Sequence, residues 1–313
     1  MNKLEAMRVF AAVVDAGSLS GAGRRLGMPL ATVSRKLSDL EAQLKVSLLI
    51  RTTRQLTLTD AGRQYHEACH RILADLEEAD RVAAGEYTVP RGELVITAPI
   101  VFGRLHVLPV ITDFLKACPE VDVRLMLSDQ VSSLLDDHID LAVRIQQLPD
   151  SGLMATRIGQ VRRVVCASPA YLAEHGEPGL PQDLLLHPCI SHQMPLMPTS
   201  WSFCVDGQDV ALAIKPRLGV STAEAATDAA IAQSGITQVL CYQMAAAERA
   251  GLLRKVLTDY ECPAVPVSLV YNRQGRLPLK LRAFLDHAVP RLRASLGGSL
   301  SMKMTLSKNG VTA

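Results

Sequence analysis

The sequence predicts an α/β protein in which a helix-rich N-terminal domain precedes a larger domain of alternating strands and helices. Apolar residues recur at helical spacing through residues 4–44, and strand and helix patterns alternate from residue 93 onward. Charge divides the chain in the same way. Residues 1–60 hold nine Lys or Arg and five Asp or Glu, a net charge of +4, whereas the remainder holds 24 basic and 26 acidic residues, a net charge of −2. This distribution predicts an anionic partner for the N-terminal domain alone.

Three helices are predicted before residue 45. The first ends near Gly17 and should pack behind the third through a stripe formed by Leu4, Met7, Phe10, Val13 and Val14. Ser18 suits the N-cap of the second helix, and Gly27 suits the left-handed turn that stops it. The third helix restarts at Met28-Pro29, because proline is favoured in a first helical turn.

The third helix has two contrasting faces. Its apolar stripe comprises Leu30, Val33, Leu37, Leu40 and Leu44. Its polar face comprises Thr32, Ser34, Arg35, Lys36 and Asp39. Hydroxyl and basic groups near the start of a helix are what base recognition in a DNA major groove requires, and Thr32, Ser34 and Arg35 are the predicted base readers.

A basic hairpin is predicted after the third helix. Residues 46–50 and the pair Leu56 and Leu58 have strand character, and Arg51-Thr52-Thr53-Arg54 forms the tip between them. Two arginines on a projecting tip favour a wing that contacts phosphates or a narrow minor groove.

Residues 16–62 read AGSLSGAGRRLGMPLATVSRKLSDLEAQLKVSLLIRTTRQLTLTDAG and resemble the winged helix-turn-helix of the LysR-type transcriptional regulators. The segments S-R-K-L-S-D-L-E and L-x-R-T-T-R-x-L-x-L-T-x-A-G carry most of this resemblance. It implies a regulator that binds double-stranded DNA at two half-sites as a homodimer or homotetramer. The predicted DNA-binding residues are Ser18, Ser20, Leu30, Ala31, Thr32, Ser34, Arg35, Lys36, Arg51 and Arg54.

A long helix is predicted to begin at Asp60 with Thr59 as its cap. Its apolar stripe comprises Tyr65, Ala68, Ile72, Leu76, Ala79 and Ala83, a spacing that is typical of a coiled-coil partner helix. In the LysR family this linker helix pairs antiparallel with its copy. Packing on its own chain is the alternative, and the sequence leaves both open.

The same helix contains a metal-binding motif. Residues 66–70 read H-E-x-x-H, which places His66 and His70 on one helix face. A helical wheel sets them about 100° and 140° from the centre of the apolar stripe, on the predicted solvent side. A catalytic zinc ion also needs a third protein ligand, and the sequence offers no suitable one. We therefore predict no metal site and no catalytic residues, and expect two solvated histidines; a metalloenzyme using this motif is the rejected alternative.

Residues 85–92 read as a hinge, and an α/β pattern follows. Strands are predicted at 93–98, 121–127 and 139–145, with helices at 103–118 and 131–137 between them. The helix at 103–118 should bury Leu105, Leu108, Ile111, Phe114 and Leu115. This order predicts a parallel sheet with right-handed crossovers.

A second lobe is predicted after a crossing near residues 159–165. Helices should begin at Ser168-Pro169, at Pro181 and after Thr222, the last of them running to Ser234. Asp206-Gly207 predicts a hairpin, and strands are predicted at 217–221 and 236–240. Residues 265–271 should return to the first lobe, followed by a helix over 278–296.

Two α/β lobes joined by two crossings resemble the periplasmic-binding-protein-like effector domain of the LysR family. The predicted division is a winged helix-turn-helix DNA-binding domain at 1–59, a linker and dimerisation helix at 60–88, a two-lobed effector-binding domain at 89–296 and a disordered tail at 297–313. Ligands of open α/β sheets bind beyond the carboxyl ends of strands. The predicted effector-binding residues are Pro99, Ile100, Val101, Phe102, Ser128, Arg144, His192 and Thr222.

The effector predicted for this cleft is a small molecule that is aromatic or bears a carboxylate. Arg144 could pair with a ligand carboxylate or, equally, with an acid of the chain such as Asp140. The apolar loop 99–102 favours an aromatic or partly apolar ligand over a small anion.

Other functional classes find little support. The seven cysteines form no C-x-x-C pair, and we interpret them as buried thiols of a protein in a reducing cytosol. No signal peptide, membrane span or cofactor motif is evident, and Gly21 to Gly27 (GAGRRLG) follows a helix rather than a strand. We expect a cytoplasmic, non-enzymatic protein without cofactors. Two alternatives stay open: a redox-responsive regulator on the same scaffold, and a regulator whose effector domain serves only for oligomerisation.

Overall fold

The computed structural model describes residues 2–51, 56–83, 89–130, 134, 139–149, 152–192, 199–272 and 277–301. These fall into two compact units, Met1–Thr88 and Val89–Ala313, and each is described by itself. Within the described ranges, no helix has the length and apolar character that crossing a membrane requires.

The first unit is a helical core with a short hairpin. Its elements are α1 (Lys3–Asp15), α2 (Leu19–Leu26), α3 (Leu30–Leu44), β1 (Leu49–Arg51), β2 (Leu56–Leu58) and α4 (Asp60–Ala83). Phe10 of α1 and Val33, Leu37 and Leu40 of α3 are fully buried in one core. The predicted packing of α1 behind α3 is confirmed.

Local capping chemistry sets the helix ends as predicted. Ser18 Oγ accepts a hydrogen bond from the Gly21 N–H at 3.1 Å, and Gly27 adopts a left-handed φ of 64°. Thr59 Oγ1 accepts from the Gly62 N–H at 2.8 Å.

The burial predicted for Leu30 is wrong. This residue lies in the first turn of α3, directly after the N-cap Pro29, and is 53% exposed.

The hairpin is shorter than predicted. Strands β1 and β2 pair antiparallel, with Leu49 opposite Leu58 and Arg51 opposite Leu56. Arg51 therefore ends a strand rather than opening the tip. Residues 52–55, which include Arg54, lie outside the described residues.

The stripe predicted on α4 is divided between two directions. Tyr65, Cys69 and Leu73 pack against the core of their own unit, whereas Ile72 is 45% exposed. The first turns of α4 thus bury a face against α1, and the side chains of Ala79 and Ala83 lie outside the described residues.

The second unit contains twelve strands and six α-helices within the described residues. Its strands are β3 (Gly92–Ala98), β4 (Val121–Leu127), β5 (Leu141–Ile145), β6 (Leu153–Val161), β7 (Arg163–Ala167), β8 (Cys189–Ser191), β9 (Thr199–Val205), β10 (Gln208–Ile214), β11 (Leu218–Gly219), β12 (Ile236–Leu240), β13 (Arg254–Val256) and β14 (Val265–Asn272). Its helices are α5 (Ile100–Phe102), α6 (Leu108–Ala117), α7 (Pro169–His175), α8 (Ala223–Ile231), α9 (Cys241–Arg249) and α10 (Leu279–Ser301).

These elements form two lobes, each around a five-stranded sheet. The first lobe has the order β4-β3-β5-β14-β6, and the second has the order β11-β8-β12-β7-β13. The chain crosses between them after β6 and returns in β14, as predicted. The sheets are mixed rather than wholly parallel, because β14 runs antiparallel to β5 and β6, and β7 runs antiparallel to β12 and β13.

The helix predicted at 103–118 buries a partly different set of residues from the predicted one. It begins at α5 and continues through one π-helical turn, Gly103–Val107, into α6. The wider turn adds a residue to the repeat, so Leu105 and Leu108 are each 42% exposed and Val107 and Val110 are buried instead.

The second lobe follows the predicted hairpin but differs elsewhere. Asp206 and Gly207 have φ of 51° and 77°, which suits a type I′ turn. The segment Pro181–Leu186 is a 3-10 helix, and α8 ends at Ile231 rather than at Ser234. Strand β6 of the first lobe, strands β7 and β13 of the second lobe, and helix α9 were not predicted.

The last helix and the helix predicted at 131–137 also differ from the prediction. Helix α10 continues to Ser301 and buries Leu292 and Leu296, so residues 297–301, predicted to be disordered, belong to a helix. Residues 302–313 lie outside the described residues. Residue 134 alone of the helix predicted at 131–137 is described, and it lies in a turn.

Candidate DNA-binding surface and effector cleft

Helix α3, which the sequence predicts to enter the DNA major groove, presents its start to solvent. Leu30, Ala31 and Arg35 are exposed, and Thr32 and Ser34 are half-buried. The opposite face is fixed against α1, so the N-terminal part of the helix can enter a major groove without disturbing the core. Exposed Leu30 and Ala31 add apolar surface of the kind that contacts thymine methyl groups.

The two basic residues of this helix have different surroundings. Arg35 pairs with no acidic group among the described residues, whereas Lys36 Nζ lies 2.7 Å from Glu5 Oε2 of α1. The Lys36 side chain is only 17% exposed. Arg35 is therefore available for DNA in this structure, and the charge of Lys36 is engaged within its own unit.

The two serines predicted to contact DNA also differ. Ser18 uses its hydroxyl as the cap of α2, whereas Ser20 is exposed in the first turn of that helix. Sequence reasoning gave Ser18 both roles, and the structure shows the capping role.

An aromatic cluster joins the two lobes of the second unit. Phe102 and His106 of the first lobe face Tyr242 of α9, with ring centroids 5.4 and 5.8 Å from it. Burial raises the pKa of Tyr242 and lowers the pKa of His106. The Tyr242 hydroxyl and His106 Nε2 are buried without a hydrogen-bond partner among the described residues. Neither residue was predicted, because α9 was missed and His106 was counted only as part of a helix.

The chain's own carboxylates occupy the helix starts near the cleft. Asp129 Oδ1 accepts a hydrogen bond from the Ile100 N–H at 3.0 Å, at the start of α5. Thr222 Oγ1 caps α8 by accepting from the Ala225 N–H at 3.2 Å. Glu224, in the first turn of α8, lies 3.2 Å from Arg104 of the other lobe. The start of α5 thus already has a carboxylate at its backbone N–H, and the start of α8 carries a hydroxyl cap and an ion pair.

The remaining predicted effector residues are only partly brought together. Burial lowers the pKa of His192, and the nearby Asp129 carboxylate acts in the opposite direction. Asp129, which accepts from the Ile100 N–H, therefore lies close enough to His192 to interact with it electrostatically. Ser128 Oγ accepts from the Gln130 N–H at 3.1 Å.

Arg144 lies apart from the apolar loop. By strand alternation it shares the sheet face of Ala142 and Val270, whereas Val101 and Phe102 pack on the other face, with Leu141. Burial lowers its pKa.

A separate cavity of about 660 Å³ lies on the first lobe. Its lining includes Thr156, Tyr271, Arg282, Asp286 and Arg293, from β6, β14 and α10. None of the predicted effector residues contributes to it.

A helix-turn-helix followed by a short hairpin and a two-lobed α/β domain is the architecture of a DNA-binding protein with a ligand-binding domain. Residues 4–63 match the family described as bacterial regulatory helix-turn-helix protein, lysR family, and residues 88–293 match the LysR substrate binding domain. The chain belongs to the LysR family of DNA-binding transcriptional regulators.

Known relatives support this assignment along the chain. An HTH-type transcriptional regulator of Xanthomonas campestris pv. campestris is 34% identical over 292 residues, which cover 91% of this chain and 84% of the relative. The structure of CrgA, a LysR-type regulator from Neisseria meningitidis, has a TM-score of 0.59 at 31% identity, covering 92% of this chain and 98% of CrgA. The full-length structure of AphB, a virulence activator of Vibrio cholerae, has a TM-score of 0.59 at 28% identity with the same coverage.

Proposed function

We propose that this regulator reads two DNA half-sites as a homodimer or homotetramer and that a small aromatic effector in the inter-lobe cleft alters its DNA-bound state. It works in the cytoplasm, where its DNA is. One observation carries the DNA-binding part: the start of α3 is exposed and carries an arginine without an acidic partner among the described residues. An arginine in this position suits bidentate contacts to guanine. Ser20, Thr32 and Ser34 are the supporting polar contacts, and Arg51 and Arg54 are the proposed wing contacts.

DNA binding by the purified full chain to its own upstream region tests this proposal. Arg35→Ala should cost about 1–3 kcal/mol on the specific site and relax its specificity. Arg217→Ala is the matched control, because Arg217 is an exposed arginine of the effector domain. Equal affinities of the parent and Arg35→Ala would show that α3 does not read bases as proposed.

The dimer is proposed to form through α4. Exposed Ile72 supports this, since a large apolar side chain on a long helix is typical of a partner-facing position. Ile72→Glu should shift the mass measured by light scattering toward the monomer, whereas Ile50→Glu, at an exposed hairpin position, should not. An unchanged mass in Ile72→Glu would place the interface elsewhere.

The effector is proposed to be aromatic and not to depend on a carboxylate at the helix starts. Phe102, His106 and Tyr242 supply apolar surface and buried polar atoms. The Asp129 carboxylate disfavours a further anion at the start of α5, and the start of α8 is occupied by the pair of Glu224 and Arg104. By linkage, such a ligand must bind more tightly to the DNA-bound state that it favours.

A thermal-shift comparison of phenols with the matching benzoates tests the effector class. We expect the phenols to raise the melting temperature, and Tyr242→Phe to reduce that shift. Tyr260→Phe is the matched control, because Tyr260 packs in the core of the second lobe. A response to benzoates alone would contradict the proposed class.

The redox-responsive alternative receives less support. Burial raises the pKa of Cys69 to about 11, of Cys166 to about 12 and of Cys189 to about 11. It also raises the pKa of Cys262, with Asp209 and Cys204 acting in the same direction. Raised pKa values reduce the thiolate that reacts with oxidants. Unchanged DNA affinity after mild peroxide treatment is the expected result.

A further inference from the structure

Two histidines of α4 and an aspartate of α1 converge on one point. His66 Nε2 lies 3.1 Å and His70 Nε2 lies 3.2 Å from Asp15 Oδ1, and the two nitrogens are 3.1 Å apart. The histidines come from the H-E-x-x-H motif, and the aspartate is 51 residues away along the chain. The prediction that both histidines face solvent is therefore wrong for His66, whose side chain is only 20% exposed.

From this geometry we propose that Asp15, His66 and His70 bind one first-row divalent transition metal ion. Two imidazoles and a carboxylate suit Zn²⁺ and its neighbours rather than Ca²⁺ or Mg²⁺, which prefer oxygen ligands. If a cation lay about 2.0–2.1 Å from each of the three atoms, each pair of atoms would subtend an angle of about 95–106° at the cation. These angles lie between the octahedral and tetrahedral values. The three protein ligands form one face of the coordination sphere and leave its solvent side for water.

Hydrogen bonding alone does not explain why Asp15 Oδ1 and the two histidine nitrogens lie so close together. Each neutral imidazole has one N–H, and the Asp15 carboxylate has no proton. If both N–H groups donate to Oδ1, no proton is left for a hydrogen bond between the two nitrogens. A single cation satisfies all three contacts at once. Metal binding at Nε2 requires that each imidazole carry its proton on Nδ1.

Neighbouring side chains orient the ligands. Phe10 contacts the His66 ring edge-on, with centroids 6.1 Å apart, and the two histidine rings are nearly perpendicular at 85°. Arg25 of α2 lies 3.5 Å from Asp15 Oδ2, which leaves Oδ1 directed at the histidines. Such surrounding contacts are what hold metal ligands in place.

The consequence is a link between the reading domain and its linker helix. The ion would tie the end of α1, which packs against α3, to the first turns of α4. Metal binding thereby stabilises one arrangement of these helices, an input that is separate from the effector cleft. We infer metal binding and not hydrolysis, since the chain is a transcriptional regulator.

Competition titration of tag-free full-length protein with a chromophoric zinc chelator tests the site. We expect one Zn²⁺ per chain, weakened at least about 10-fold by each of Asp15→Asn, His66→Gln and His70→Gln, because even losing a group that only orients a ligand costs about 10–100-fold. His175→Gln, at an exposed histidine of the second unit, should bind like the parent. So should Cys69→Ala, which removes the nearest buried thiol of α4.

Two further measurements keep the result interpretable. Circular dichroism establishes that the variants are folded, and Co²⁺ substitution should give a visible spectrum without the intense sulfur-to-metal band of a thiolate site. Zn²⁺ should raise the melting temperature of the parent but not of His70→Gln. Absence of stoichiometric binding, or parent-like binding in folded Asp15→Asn and His66→Gln, would overturn the proposal. Loss of binding in Cys69→Ala alone would overturn it as well.

Discussion

Lys36 of the recognition helix lies 2.7 Å from Glu5 of α1. The cation that the sequence offers to a phosphate is thus paired inside its own unit, while Arg35 is exposed beside it. Lys36→Gln should lower the free energy of unfolding by about 0.2–1 kcal/mol. It should leave the salt dependence of DNA binding unchanged.

Urea unfolding and DNA titrations between about 50 and 200 mM salt check this expectation. Arg35→Gln is the matched variant, and it should weaken specific binding with little effect on stability. A fall in the salt slope of about 0.9 in Lys36→Gln, the value for one phosphate contact, would show that Lys36 leaves Glu5 for the DNA.

Ser18 and Ser20 allow capping to be separated from DNA contact. Ser18→Ala removes the acceptor for the Gly21 N–H and should cost about 1 kcal/mol of stability. Ser20→Ala should leave stability unchanged and weaken DNA binding. Thermal unfolding and DNA titration of both variants decide the matter, and equal stabilities would argue against the capping role.

Features governed by short-range chemistry were accessible from the sequence. Ser18, Gly27 and Thr59 act on backbone groups within a few residues, so their roles followed from residue type and position. The hairpin at Asp206-Gly207 is of the same kind. Both lobes, and the crossings between them, followed from the order of strand and helix patterns.

Features that depend on distant parts of the chain were not accessible. Asp15 meets His66 only because α4 packs on α1, and Tyr242 reaches Phe102 only because the second lobe returns to the first. The π-helical turn at Gly103–Val107 shifted the buried face of its helix, and apolar spacing alone could not reveal that shift. Contacts between distant parts of the chain were therefore predicted less completely than local features.

Gly62 brings the start of α4 against the base of the hairpin. A Cβ atom at this position would lie 2.0 Å from the Leu48 carbonyl oxygen, a backbone atom that cannot easily move away. Gly62→Ala should therefore destabilise the protein by about 1–3 kcal/mol, the usual cost of overpacking. The gain in helix propensity, about 1 kcal/mol at most, acts in the opposite direction.

Gly297→Ala is the control for Gly62→Ala. Gly297 also lies in a helix, but a Cβ atom there would meet nothing within 4 Å. This variant should be neutral or slightly more stable in urea unfolding. Equal effects of the two substitutions would show that the close approach at Leu48 is relieved by a small movement.

His106 should make stability depend on pH near neutrality. Burial lowers its pKa from the ordinary value of 6.5, Nδ1 lies 2.9 Å from Ser295 Oγ, and Nε2 is buried without a partner among the described residues. Below about pH 6.5 the unfolded chain binds a proton at this position and the folded chain does not, so the stabilisation is complete above that pH and is lost as the pH falls.

Melting temperatures of the parent and His106→Phe between about pH 5.5 and 7.5 test this sign. A phenyl ring can occupy the space beside Phe102 and Tyr242 without a titrating group, so the variant should lose less stability on acidification than the parent. Part of the dependence should persist, because burial also lowers the pKa of His187 and His192. Identical pH profiles would mean that His106 gains a proton as readily in the folded protein as in the unfolded chain, and that the aromatic cluster admits water.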